Sequence, residues 1–327
     1  MKSQALVVPI AVLAAACAAN VPIGTYNGDA SAEAGGDAGM PDVNSRDVAF
    51  ASDGAPLVPG CQDGSTDILI MGFDLTKPVL YRFDTVTLTF QPMPAPTGCP
   101  SGSGFSGKNP WAAALDRDAT LWVHYLEWDN GLQKFTYDDV WTVDTATGSC
   151  TDTGKSLTVS GNEYIQYGLA FLPDPNDPQK DDLYASAVTP TLQSPQLHTL
   201  AMPSLVPSLV GPLANTAHSF LTATGDGRLF TLYQAGSPPW GIRQLDPKTG
   251  SSLFDQPVTG LTSSQGPFVF WGGSLWAFWN KVYSPQSLVT DVYKIDMNTW
   301  TATVVASGNF VVTAAAISSC APIVPPK

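Results

Sequence analysis

From about residue 66 onward two short patterns alternate along the chain, and their recurrence restricts the fold more than any other property of the sequence. The first is a turn followed by an apolar strand: Thr66-Asp67-Ile68-Leu69-Ile70-Met71, then Asp118-Ala119-Thr120-Leu121-Trp122-Val123. It returns at Asp181-Asp182-Leu183-Tyr184-Ala185, at Gly225-Asp226-Gly227-Arg228-Leu229-Phe230 and at Gly272-Gly273-Ser274-Leu275-Trp276. The second is an alternating strand that runs into an Asp- and Thr-bearing turn, as in Leu80-Tyr81-Arg82-Phe83-Asp84-Thr85 and Val140-Trp141-Thr142-Val143-Asp144-Thr145. Further copies are Ile242-Arg243-Gln244-Leu245-Asp246 and Val292-Tyr293-Lys294-Ile295-Asp296, with Ala201 in the Asp position of a degenerate copy. Asp suits these turns because its carboxylate accepts backbone N–H groups across the bend.

The turns align at positions 84, 144, 201, 246 and 296, spaced 60, 57, 45 and 50 residues apart. Each unit after the first also has a short strand ahead of the first pattern: Trp111–Leu115, Gly168–Phe171, Ser219–Thr222 and Phe268–Trp271. Four strands in about 50 residues make one blade of a β-propeller. The first unit lacks that inner strand, and the C-terminal run Val311–Ile317 has no outer strands after it. Joining the two closes a ring without a raw edge. The expected fold is therefore all-β, a propeller of five blades, with a sixth possible inside the long second or third unit. A two-sheet sandwich is the rival, but it leaves the period and the split first unit unexplained.

Composition agrees. Only 13% of residues are charged, while Gly (29) and Pro (28) are abundant, which suits short strands and many turns. The net charge of −13, with no basic cluster to offset it, argues against a nucleic-acid partner.

The N-terminal stretch reads differently. Lys2 precedes an apolar run from Ala5 to Ala16, of signal-peptide length and too short to span a bilayer. It ends in Leu13-Ala14-Ala15-Ala16-Cys17, which resembles the lipobox of bacterial lipoproteins, although Ala14 stands where Leu is commoner. That resemblance implies a signal peptide over 1–16 and lipidation of Cys17. The alternative is an ordinary secretory signal cut near the same alanines. Residues 17–60, rich in Ala, Gly and Asp, are expected to be a disordered tether to the bilayer, leaving 61–323 as the propeller.

Four further cysteines, Cys61, Cys99, Cys150 and Cys320, allow three pairings. The ring places Cys61 and Cys320 together at its closure, which leaves Cys99 to pair with Cys150 between the outer edges of the first two blades. Metal binding needs closer Cys or His spacing, so neither a metal nor a cofactor is expected.

No linear motif signals catalysis. His124, His198 and His218 fall in separate units, and a surface or satisfied core histidine is the simpler reading of each. The oxygen-rich stretch Asp174–Asp182 does not fit an EF-hand and reads as a solvated hairpin loop. Gly225-Asp226-Gly227 and Trp271-Gly272-Gly273 precede no helix and read as hairpin turns rather than phosphate cradles. Of the nine tryptophans, Trp128, Trp240 and Trp300 lie nearest loops and are candidates for stacking on a sugar or peptide, with packing as the simpler reading.

Phe270-Trp271-Gly272-Gly273, Leu221–Gly227 and Ser318-Ser319-Cys320-Ala321-Pro322 carry a resemblance over most of residues 60–322. The chain is similar to uncharacterised lipoproteins of myxobacteria and related Gram-negative bacteria, which join a lipobox and an Ala/Gly/Asp-rich leash to a propeller-like head. The resemblance implies fold and location but brings no activity. The expected function is a non-catalytic cell-envelope lipoprotein, weakly favouring the outer membrane because Ala18 follows Cys17. Its propeller would bind a protein or polysaccharide partner. The alternative is an extracellular propeller hydrolase or lyase acting on glycans.

Overall fold

The computed structural model describes residues 60–325 apart from 63–65, 75–76, 101, 104–105, 130–133, 160–161, 164, 189–194, 214–219, 235–239, 262–265 and 285–286. Its described elements are all strands. The first blade contributes β1 (Ile68–Asp74), β2 (Lys77–Asp84) and β3 (Thr89–Pro92). The second has the two-residue β4 (Gly102–Ser103), then β5 (Ser106–Leu115), β6 (Thr120–Asp129), β7 (Lys134–Asp144) and β8 (Cys150–Ser156). A small hairpin of β9 (Thr158–Val159) and β10 (Asn162–Glu163) leads to the third blade, β11 (Ile165–Asp174), β12 (Asp177–Val188), β13 (Gln196–Ala201) and β14 (Val206–Pro212). The fourth is β15 (Phe220–Ala223), β16 (Leu229–Gln234), β17 (Trp240–Leu245) and β18 (Ser252–Pro257). The fifth is β19 (Phe268–Trp271), β20 (Ser274–Ser284), β21 (Ser287–Asp296) and β22 (Thr301–Gly308).

The last strand, β23 (Val311–Ala316), pairs antiparallel with β1, setting Leu69 opposite Ala316 and Ile70 opposite Ala315. It supplies the missing inner strand, and β19 and β5 flank it in the ring. Five blades are therefore complete. The extra length of the second and third units goes into strands of 10 to 12 residues and the β9–β10 hairpin instead of a sixth blade.

The inner strands crowd the axis because many of their residues are small: Ala112, Ala113, Gly168, Ala314 and Ala315 line it beside Leu169, Phe220, Leu221 and Phe268. The cavity left between them is about 10 Å³, room for about one water. Larger side chains fill the spaces between blades. Ala112, Trp122, Val140, Phe171 and Leu183 pack between the second and third, and Leu69, Leu80, Leu121, Val143 and Ala314 between the first and second. The seam joining the fourth, fifth and first blades is aromatic. Trp240 meets Trp279 edge-on at 5.1 Å, and Phe83 meets Phe278 at 5.6 Å, geometries the ring quadrupole favours.

Strand direction alternates within a blade, so the turns after the first and third strands fall at one end of the ring. That end, the closure face, holds the repeated Asp turns. Asp84 Oδ1 accepts from the backbone N–H groups of Val86 and Thr87, Asp144 Oδ1 from Ala146 and Thr147, and Asp296 Oδ1 from Asn298. Hydrogen bonding to the Thr87 N–H holds the Asp84 carboxyl below its ordinary pKa, as the Lys248 N–H does for Asp246. The residue four places on has positive φ in every copy: Leu88, Gly148, Leu205, Gly250 and Trp300. Three of these are large apolar residues, which keep a costly backbone because their side chains reach the core: Leu205 is buried, and Leu88 and Trp300 pack partly against the aromatic seam.

Candidate functional site

Both chain ends of the described region meet on the closure face and tie the ring together. Cys61 and Cys320 are joined in a disulfide with Cα atoms 5.9 Å apart, 259 residues apart in sequence. Gln62 N–H donates to Arg117 O of the second blade at 2.9 Å. Arg117 Nε donates to Asp181 Oδ1 of the third blade at 2.9 Å, and Ser319 Oγ lies 2.8 Å from both carboxylate oxygens. Gly272 N–H of the fifth blade donates to Pro322 O at 2.7 Å. Ser319 O packs against Gly225 of the fourth, where a Cβ would come within 2.3 Å of it. The segment after β23 thus spans the channel mouth and contacts three blades beyond the one it completes.

One sequence reading changes here. The stretch 174–182 is not a loop: the turn is only Pro175-Asn176, and β11 and β12 run into it from both sides. Asp181 is consequently a strand residue with a 5% exposed side chain, held by Arg117 and Ser319. The tryptophans follow the simpler reading of packing. Trp240 is 1% exposed and packs on Trp279, and Trp300 packs against Phe254 at 5.7 Å, so neither is offered to a ligand. Trp128 lies on β6.

Beside this clasp, between the two turns of the second blade, lies an open cleft of about 430 Å³. Its walls include Gln62, Asp118, Thr120, Asp144, Ser149 and Thr151. Asp116 shapes the turn that bears Asp118 and Thr120: its Oδ1 accepts from their N–H groups, and its Oδ2 accepts from Trp122 Nε1 at 2.9 Å. Burial raises the Asp116 carboxyl above its ordinary pKa, against the pull of these donors. Thr145 Oγ1 donates to Ala119 O at 2.9 Å and fixes the distance between the turns. On the rim, Asp118 Oδ1 accepts from Gln62 Nε2 at 3.1 Å. The hydroxyls of Thr120, Ser149 and Thr151 have no partner among the described residues and face solvent-filled space. With Ala119 and Ala146 between them, these polar side chains present hydroxyl and amide donors beside carboxylate acceptors, which suits a polyhydroxylated ligand.

Of the residues singled out in the sequence, Cys61, Cys320, Cys99 and Cys150 come together as two disulfides, the second with Cα atoms 5.0 Å apart. His124 and His198 are buried on separate blades, and His218 and Cys17, with the signal peptide and tether, lie outside the described residues. The cleft was missed because Asp118 and Asp144 read only as turn formers. A signal was present: hydroxyls at Thr142, Thr145, Thr147, Ser149 and Thr151 recur at nearly every second position around one turn.

No protein-family model and no curated protein matches the chain. Solved structures resemble it in fold. TolB from Acinetobacter baumannii aligns at 12% identity and a TM-score of 0.42, over 76% of this chain and 55% of its own. The chain thus spans little more than half of that TolB chain. A gluconolactonase from Xanthomonas campestris aligns at 16% identity and 0.38, over 61% of each chain. An α-L-arabinofuranosidase from Clostridium thermocellum aligns at 10% identity and 0.39, over 62% of this chain and 70% of its own. At these values the likeness concerns strand architecture and carries no argument about ligand or activity.

Two of the three are enzymes by name, so this strand architecture is compatible with catalysis and the expectation that the head is not an enzyme does not stand. That expectation rested on missing linear motifs. In a propeller, reacting groups assemble from loops of different blades, so a missing motif does not exclude catalysis.

Proposed function

We propose that this chain is a cell-envelope lipoprotein, anchored through Cys17, whose propeller head binds polysaccharide in the cleft on its closure face. The single observation that carries the reading is the contrast between the two cavities. Among the described residues, the void between the inner strands holds about 10 Å³, about one water, while the blade cleft of about 430 Å³ is within the ordinary size of ligand sites. Its hydroxyl, amide and carboxylate lining favours a sugar over an apolar ligand. Two disulfides support export to an oxidising compartment. The outer membrane and the resemblance to myxobacterial-type lipoproteins belong to this same proposal.

The test is co-sedimentation of the full chain with three insoluble polysaccharides: peptidoglycan sacculi, cellulose and chitin. Retention on at least one is expected, and Thr151→Trp, an exposed position whose indole would fill the cleft, is expected to abolish it. Absence of retention on all three, or retention untouched by Thr151→Trp, overturns the reading.

A further inference from the structure

The cleft has a second property. The chain's two disulfides lie at its two walls. Gln62, on one wall, is the chain neighbour of Cys61, which bonds to Cys320. Ser149 and Thr151, on the other, flank Cys150, which bonds to Cys99. The segment bearing Cys99 is further strapped to this wall, Thr97 N–H donating to Gly148 O and Cys150 N–H to Thr97 O, each at 2.9 Å. Every other turn of the closure face is built without a cysteine. Both covalent cross-links thus lie one residue away from lining residues of the one cleft.

We infer that ligand binding in this cleft is redox-dependent: the oxidised chain presents the walls in binding geometry, and reduction of Cys99–Cys150 releases one of them. This rests on the polysaccharide reading of the cleft and adds its regulation. Free hydroxyls on an exposed rim bind a sugar well only if they are held in place beforehand, because ordering them on binding costs conformational entropy. The Ser149–Thr151 wall starts an outer strand at the blade edge, where the described pairing is with β7 alone. The disulfide adds a covalent restraint to the Thr97 strap, whose hydrogen bonds the fifth blade repeats through Thr259, Trp300 and Ala302 without a cysteine.

The two bonds differ in access. Cys320 is 2% exposed beneath the clasp, so the closing bond offers only the half-buried Cys61 to attack, whereas Cys99 and Cys150 are both half-buried at the outer edge. A dithiol can therefore attack either sulfur of the outer bond but only one of the closing bond. One of its thiolates attacks a sulfur of Cys99–Cys150, giving a mixed disulfide and one cysteine thiolate. Its second thiol displaces the other cysteine, and the products are two cysteine thiols and the oxidised dithiol. Two electrons and two protons pass from the dithiol to the protein.

The experiment uses the full chain and the polysaccharide that retains it in co-sedimentation. Cys99→Ser/Cys150→Ser is expected to weaken binding about 10-fold, to raise amide exchange at Ser149 and Thr151, and to be non-additive with Thr151→Ala. Where that variant fails to fold, wild-type chain treated with dithiothreitol under native conditions takes its place, with binding lost on reduction and restored on reoxidation. Unchanged affinity after loss of the Cys99–Cys150 bond overturns the inference while leaving the polysaccharide reading in place. Failure of the oxidised wild type to bind any of the three polysaccharides overturns the reading itself.

Discussion

Removing the closing disulfide is the perturbation whose cost follows most directly from the topology. Cys61–Cys320 encloses 259 residues, nearly the whole propeller. In the chain-entropy treatment a loop of this size removes about 5.5 kcal/mol of denatured-state freedom, against about 4 kcal/mol for the 51-residue separation of Cys99–Cys150. These are upper figures, since denatured chains retain structure and measured losses usually fall at about 2–5 kcal/mol. Cys61→Ala/Cys320→Ala should therefore lower urea-unfolding stability by about 4 kcal/mol, and by more than Cys99→Ala/Cys150→Ala does. The first and last blades should also feel it locally, because β23 is held to β1 by a single ladder with a register shift at Met71/Gly72. Faster amide exchange should appear at Val312, Ala314 and Ala316 before it appears in the fourth blade. The assay is equilibrium urea unfolding of both variants with exchange on the native state. A loss below about 1 kcal/mol, or exchange that rises evenly over all blades, would refute the view that the bond closes the ring.

Other predictions concern the turns, the clasp and a buried histidine. Gly148 and Gly154 both have positive φ, but a Cβ on Gly148 would meet Ala95 O at 2.6 Å, whereas one on Gly154 meets nothing within 4 Å. Gly154→Ala should cost about 1 kcal/mol and Gly148→Ala about 3, by thermal unfolding. Arg117→Met or Asp181→Leu alone should cost about 3–5 kcal/mol, because each strands a buried charge. The double variant should recover most of that in a mutant cycle, since Arg117 Nη1 already lacks a partner among the described residues. Burial holds the His198 pKa below its ordinary 6.5. The unfolded chain then binds a proton that the folded chain excludes, so stability is full above pH 6.5 and falls as pH drops below it. His198→Leu should flatten this slope between pH 7 and 5, and an unchanged slope would remove His198 as its source.

The ring was legible in the sequence because its repeat places the same chemistry at the same point of each blade. Asp84, Asp144, Asp246 and Asp296 mark one turn, and the run Val311–Ile317 marks an inner strand in search of a blade. Both disulfide pairings followed from that ring. What stayed hidden depends on neighbours from distant blades. Asp181 looked like part of a solvated loop because its partners are Arg117 and Ser319, 64 and 138 residues away. Trp300 follows a turn, and its packing partner, Phe254 of the preceding blade, is 46 residues away. The cleft was hidden for the same reason: Gln62 joins its wall only once ring closure brings it beside Asp118.

The most direct test of the tethered, closed propeller is peptide mapping by mass spectrometry of the full chain purified from membranes, without and with reduction. The account predicts a diacylglycerol-modified peptide beginning at Cys17 and a cross-linked peptide joining Cys61 to Cys320. An unlipidated chain with Cys61 and Cys320 as free thiols would contradict both the anchor and the closure.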